Sequence, residues 1–459
     1  MSIERVVAMI CIGVIVASAC ESDPVDTPPQ GDVKLFMELT LAREAAAATD
    51  STLDKWLGEN TERFYGASIP DSAFDIISTG IGTRRIVMLG AEGGVLEQQS
   101  SLRTSIVRAL HEKRGFNVLA IDGPIWQCTP SLNPALGYER KKLQESCAMA
   151  DWNAEEIGEL FRYVESTQRT RTPLVIVGLS ATGGAEQPSS TSMPSLVARY
   201  DPAYAARVQE LDSVFSALMM QSLERPIGER KPVPFRIALQ FDSLSEWLTR
   251  THQREQMTDE RIASYALAAA AARTNSKVAR VSGTFTRKMH EVIDDIIAEN
   301  LVFVADSLYQ SQKIIVWSQN DRIVRNKPPD RQYGESTSGM AATFERASPQ
   351  NTPYSIALFG VSGDKVYQRQ VRSLPPSPDL GLAQLLYDTM GRTVLLTANA
   401  TTNSGRTSGA TAGATAKARS RDRSRRSASD SRITTLRAME KYDAVLVISS
   451  VSAVTPTPR

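Results

Sequence analysis

KIIVWSQNDRIV, residues 313–324, is the stretch on which the fold turns. Lys313 to Trp317 form a short aliphatic run that reads as a buried strand, and the polar break Ser318-Gln319-Asn320-Asp321-Arg322 follows before the chain turns apolar again. In α/β proteins the position just past the carboxyl end of a strand is where ligands bind and chemistry is done. The side chains offered there are a glutamine, an asparagine, an aspartate and an arginine.

Similar runs lie on both sides of it. IVMLG, 86–90, enters a glycine-rich break, NVLAID spans 117–122, and PLVIVGLS spans 173–180. Between the first two, Leu102, Ile106, Ala109 and Leu110 recur at helical spacing, and Lys113-Arg114-Gly115 supplies a basic last turn and a glycine stop. Before the third, Asn153 with Glu156 marks a helix start, and Ile157, Leu160, Phe161 and Val164 give its buried stripe. YSIALFG (354–360), TVLLTA (393–398) and AVLVISSV (444–451) resume the strand pattern after Trp317. Continuous aliphatic strands separated by helices predict an α/β fold whose mostly parallel sheet is flanked by helices on both faces. Residues 197–312 carry helical stretches such as SYALAAAAA and almost no strand pattern, so they read as a large helical insert. That insert divides a first α/β part, 33–196, from a second, 313–404, and residues 433–459 hold the final strand and tail.

Residues 405–432 interrupt the second part with eight basic and two acidic residues and no large apolar side chain. Such a segment cannot offset its ordering entropy and is expected to be disordered. It leaves the rest of the chain at −5 out of a formal net charge of +1 over 459 residues, a balance that favours no nucleic-acid partner. A hydrophobic content of 42% is ample for a large core.

At the amino terminus, Arg5 precedes VVAMICIGVIVASA, 6–19. Fourteen residues suit a signal-peptide core and fall short of the ~20 needed to span a bilayer. The run ends in Ala17-Ser18-Ala19-Cys20, which resembles a bacterial lipobox with Ala17 where a larger aliphatic residue is usual. The expectation is a signal peptide over 1–19, a lipid on Cys20, a polar tether over 20–32, and an exported protein held in the cell envelope by its anchor. Ordinary secretory cleavage before Cys20, giving a soluble periplasmic protein, satisfies the same residues. With Cys11 removed and Cys20 acylated, Cys128 and Cys147 remain, and in an oxidising compartment such a pair is expected to form a disulfide worth about 3 kcal/mol.

Taken in order, RRIVMLGAEGGVLEQQ, GFNVLAID, WNAEEIGELFRYVES, PLVIVGLS, IIAEN, KIIVWSQNDRIV, YSIALFGVSG and YDAVLVISSV resemble the erythromycin esterase family over most of residues 80–455. The resemblance implies a cleft at the strand ends and metal-independent, cofactor-free hydrolysis of an ester or macrolide lactone. That chemistry needs a base, which histidine serves best near neutrality, carboxylates to orient it, and donors for the oxyanion. The family's first motif reads Leu-Gly-Glu-x-x-His-Gly. Here an ungapped reading sets Ala91 at the glutamate and Gly94 at the histidine, while a shift of one residue restores Glu92. Glu97 or Gln98 stands for a later glutamate, and Asp122 stands for the glutamate ending the next strand. Leu179-Ser180 replaces Phe-Asp, Ile293-Asp294 replaces Arg-Asp, and Gln319-Asn320-Asp321-Arg322 replaces His-Asn-x-His.

Neither glutamine nor arginine accepts a proton near neutrality. Of the chain's three histidines, His111 sits at a helix end expected to face water, and His252 and His290 lie in the helical region. No cluster has metal-ligand spacing. Three readings follow. In the first, the chain is a catalytically impaired family member in which a cleft lined by Glu92, Gly94, Glu97, Asp122, Gln319, Asn320, Asp321 and Arg322 binds a small molecule or an envelope component. In the second, Glu92 or Asp122 is the base of an altered ester or lactone hydrolase, with Arg322 holding the oxyanion. In the third, the chain is a lipid-tethered structural protein.

Overall fold

The computed structural model describes residues 61–64, 68–91, 97–133, 137–147, 155–180, 192–223, 231–254, 257–282, 287–324, 339–360, 364–367, 370–373, 393–397 and 442–448. All of them belong to the unit Trp56–Arg459. The expected signal peptide, Cys20, the tether and the basic stretch 405–432 lie outside the described residues.

The strands run in chain order as β1 (Thr61–Phe64), β2 (Ile86–Leu89), β3 (Phe116–Pro124), β4 (Val175–Ser180), β5 (Lys313–Trp317), β6 (Tyr354–Gly360), the short hairpin β7 (Asp364–Tyr367) and β8 (Gln370–Ser373), β9 (Thr393–Thr397) and β10 (Ala444–Ile448). Eight of them form one sheet in the order β1-β9-β10-β6-β2-β5-β3-β4. From β10 to β4 every pairing is parallel, whereas β9 runs antiparallel to both β10 and β1. The aliphatic content explains the parallel block: every residue of β2 and β6 is buried, as strands covered on both faces require.

The helices are α1 (Asp71–Ile81), α2 (Glu97–Arg114), α3 (Arg140–Cys147), α4 (Glu155–Thr167), α5 (Ser192–Ala198), α6 (Pro202–Leu223), α7 (Phe235–Arg254), α8 (Asp259–Val281), α9 (Arg287–Phe303) and α10 (Met340–Ala347). α2 stops where the sequence says it should, at Gly115, whose φ of +67° admits glycine without strain. Leu102, Ile106 and Leu110 of α2, and Ile157, Leu160, Phe161 and Val164 of α4, all enter the core built on the sheet.

A second core is helical. α8 buries Leu267 through Ala272, and these small side chains let α7 approach closely enough for the Ser245 hydroxyl to donate to the Ala269 carbonyl at 3.0 Å. Phe215 of α6 meets Phe241 of α7 edge-on, with ring centroids 5.1 Å apart. Ile125 and Trp126, just beyond β3, belong to this helical core, so the segment leaving the sheet there is shared between the two cores. The Sγ atoms of Cys128 and Cys147 are bonded, fastening that segment to the end of α3.

Candidate functional site

The parallel strands end side by side, and the polar break after β5 folds over the end of β2. The backbone N–H of Ser318 donates to Leu89, and that of Asn320 donates to Ala91 at 2.8 Å. The Asn320 side chain then reaches across β2 to β6. Its Nδ2 donates to the Leu358 carbonyl at 2.7 Å, and its Oδ1 accepts from the Leu358 N–H at 3.3 Å. Gly90 is obligatory beneath it, because a Cβ there would collide with the Asn320 side chain and with Ile323. Both ends of the Asn320 amide are therefore engaged in pinning strand ends together. Expected as a ligand-binding residue, it is placed as a clamp in the scaffold.

Two residues further on, Arg322 turns toward β3. Its Nη1 donates to Asp122 Oδ2, and its Nε stands 3.4 Å from Asp294 Oδ1 on α9. The three side chains are deeply set, at 13%, 1% and 9% exposure respectively. Burial lifts the Asp122 carboxyl above the ordinary aspartate range; the Arg322 guanidinium opposes that rise, the nearby Asp321 charge adds to it, and the Ser180 hydroxyl opposes it. Burial alone would lower the Arg322 guanidinium, but the Asp122 and Asp294 carboxylates outweigh it and hold its pKa above the usual value. Arg322 thus stays protonated with two of its nitrogens facing carboxylates. Asp122 Oδ1, on the other side of that carboxyl, is buried and meets no hydrogen-bond donor within normal geometry among the described residues. Gln319 is half-buried and Asp321 is exposed at the surface of the same turn.

Glu92 and Gly94 lie outside the described residues, and Glu97 is placed only as the first residue of α2. Arg322 meets Asp122 with the Asp321 charge nearby, whereas the Asn320 side chain turns away to Leu358 of β6. His111 does not face water: it is buried, with Nδ1 at 2.7 Å from the Tyr163 hydroxyl and Nε2 at 2.8 Å from the Thr172 carbonyl. The end of α2 packs against α4 and the approach to β4, so this ring ties helix to strand at the amino-terminal ends of the strands, whereas the site lies at their carboxyl ends. His252 is on α7 and His290 on α9, both remote in sequence from any strand end. Among the described residues no group of three or more histidine, cysteine, aspartate or glutamate side chains is arranged to hold a metal.

Arg103 is a residue that the sequence reading passed over. From α2 it donates through Nη2 to the Leu89 carbonyl at 2.7 Å and the Ser318 carbonyl at 2.8 Å, and its guanidinium stacks 3.6 Å from the Trp317 ring centroid. Burial pushes its pKa well below the ordinary arginine value. Its signal was a cation at helical spacing within a buried stripe, four residues after Gln99 and four before Val107. Ile125, Trp126, Gln127, Ser180, Met193, Asp212, Ala271 and Asn275 line a cavity of ≈ 10 Å³, about the room one water occupies.

Residues 111–451 match the family model described as erythromycin esterase. Among curated proteins the chain is similar to "Putative hydrolase YbfO" of Bacillus subtilis, at 20% identity over 365 residues, covering 74% of this chain and 80% of that one. Among solved structures, a mutant of the erythromycin esterase EreC in its open conformation aligns with a TM-score of 0.61 at 14% identity, over 85% of this chain and 98% of its own. A Bacillus cereus protein aligns with a TM-score of 0.61 at 13% identity, over 88% and 98% respectively. One described as a succinoglycan biosynthesis protein aligns equally well, over 89% and 99%. These structures share the fold: a mostly parallel sheet flanked by helices.

Proposed function

The chain belongs to the erythromycin esterase family, and from that premise we propose that it is a hydrolase-like protein whose ester-cleaving centre has been converted into a binding site. The observation that carries this reading is the Asp122–Arg322–Asp294 cluster. A general base must accept a proton from water within hydrogen-bond reach. Arg322 stands where the family places a histidine, and its guanidinium cannot accept one. Its two carboxylate partners hold it in the charged form, so the position is occupied by a fixed cation. The same contacts leave it poorly placed as an oxyanion donor, since its Nη1 and Nε already face Asp122 and Asp294.

A second reading rests on Asp122 alone. Its carboxyl is raised by burial, and among the described residues its Oδ1 has no close donor, which are the properties of a carboxylate base. The two separate in an assay of the purified chain on macrolide lactones and simple aryl esters. The binding reading predicts no turnover above buffer. Turnover that disappears in Asp122→Asn would establish the carboxylate-base hydrolase instead.

We also propose that the protein is exported and anchored by a lipid on Cys20, on the strength of the residues 6–20 alone. Metabolic labelling with a radioactive fatty acid tests this. Label on the wild-type chain and none on Cys20→Ser is the expected result, and label on neither reduces the amino terminus to an ordinary cleaved signal.

A further inference from the structure

Among the described residues the large apolar side chains left exposed are Tyr200, Val214, Phe235 and Leu239. The last two stand apart because they sit one turn apart on one helix, α7, with 59% and 48% of their surface in solvent. Their exposure is not a fraying of the helix. Ile237, Ala238, Phe241, Leu244 and Leu248 of α7 are all buried in the helical core, so Phe235 and Leu239 occupy the opposite face by the 3.6-residue period.

That face is also positively charged. Arg236 is exposed beside Phe235, and Lys231 is exposed just before the helix. Arg280 from α8 lays its guanidinium 4.8 Å from the Phe235 ring centroid. Among the described residues, the acidic group nearest to Arg236 in sequence is Asp242, which is paired with Arg280. The next, Glu246, comes three turns beyond Phe235 and stands 3.7 Å from Arg250. The leading turns of α7 therefore present an aromatic and an aliphatic side chain beside the exposed cations Lys231 and Arg236, with Pro232 and Pro234 exposed at the rim.

Apolar side chains beside basic ones at a helix face are the composition that seats in the interface of a membrane. The rings and methyls enter the headgroup boundary while the cations meet anionic phosphates. We propose that the start of α7, centred on Phe235 and Leu239 with Lys231 and Arg236, is a docking surface for an anionic lipid membrane. The surface lies on the helical insert and is independent of the strand-end cluster and of whatever is bound there.

The test is co-sedimentation of the full chain with vesicles of phosphatidylcholine alone and of phosphatidylcholine with phosphatidylglycerol, in a Cys20→Ser background so that no acyl chain contributes. Every comparison is made within that background, which cancels any affinity of the amino-terminal segment. The expected result is binding to the anionic vesicles that falls by about tenfold in Phe235→Ser/Leu239→Ser. Binding falls by a similar factor in Lys231→Glu/Arg236→Glu and weakens steeply with salt. All four positions are exposed, so circular dichroism and the melting temperature should be unchanged. Equal binding by the wild-type chain and both double variants overturns the proposal, as does binding indifferent to lipid charge. A further contrary result is a double variant that loses self-association while still sedimenting with vesicles, since the face would then join two copies of the chain.

Discussion

Arg322 faces Asp122 through Nη1 and Asp294 through Nε, and this arrangement decides what the strand-end site can do. Removing one member of a buried ion pair leaves the other charge without compensation, so Arg322→Gln should destabilise the fold by about 3–5 kcal/mol in a urea titration. The same substitution bears on Asp122. Burial already lifts its carboxyl and Arg322 restrains that rise, so the variant should titrate higher still, as read from the carboxyl infrared band of the labelled protein. A carboxyl raised in the folded state holds its proton there over a pH window in which the unfolded chain has lost it. Its contribution therefore falls as pH rises from the ordinary aspartate range to the raised value. An unchanged titration in Arg322→Gln would show that the guanidinium does not bear on the carboxyl. Asn320 belongs to the same turn with a different duty. Asn320→Ala should cost about 1–3 kcal/mol by stranding the Leu358 carbonyl, and it should do so without altering the titration of Asp122.

Elements were legible where the hydrophobic pattern was continuous. KIIVW and YSIALFG became β5 and β6 to the residue, because runs this short, rich in β-branched and aromatic side chains and bounded by polar breaks, favour a buried strand over a helix. β1, with the sequence TERF, has no such pattern. It joins the sheet by pairing antiparallel with β9 at an edge, a tertiary choice that local composition does not announce. The strand-end cluster was legible in part. Asp122 and Arg322 are 200 residues apart, and only the resemblance to a known motif order put them at one end of one sheet. Asp294 could be read as the aspartate of a motif whose arginine is replaced by Ile293, but not as the second carboxylate on Arg322. Neither the clamp made by Asn320 nor the buried Arg103 could be foreseen, since both answer to backbone carbonyls that only the assembled strands present. The disulfide acts at this scale too. It fastens the segment after β3, whose Ile125, Trp126 and Gln127 wall the small cavity beside Ser180. Cys128→Ser/Cys147→Ser should lower stability by about 3 kcal/mol, read as a shift in the denaturation midpoint. No shift would mean that the two thiols are free in the isolated protein.

At the scale of the whole molecule, one family sheet carries a second, helical core that reaches back to it through Trp126 and through Asn300. The Asn300 amide donates to the Leu179 carbonyl at 2.8 Å at the end of β4. Fold alone does not transmit function, because sites carry it, and here the family sheet carries at its strand ends an arginine held between two carboxylates. The most direct test is a single-turnover experiment. Equimolar purified protein and a macrolide lactone are incubated at neutral pH and the products are resolved by mass spectrometry. The lactone recovered intact, at the level of a buffer control, is the predicted result. Ring-opened product gaining the mass of one water, formed at an ordinary enzymatic rate of roughly 1 s⁻¹ or faster, would contradict it.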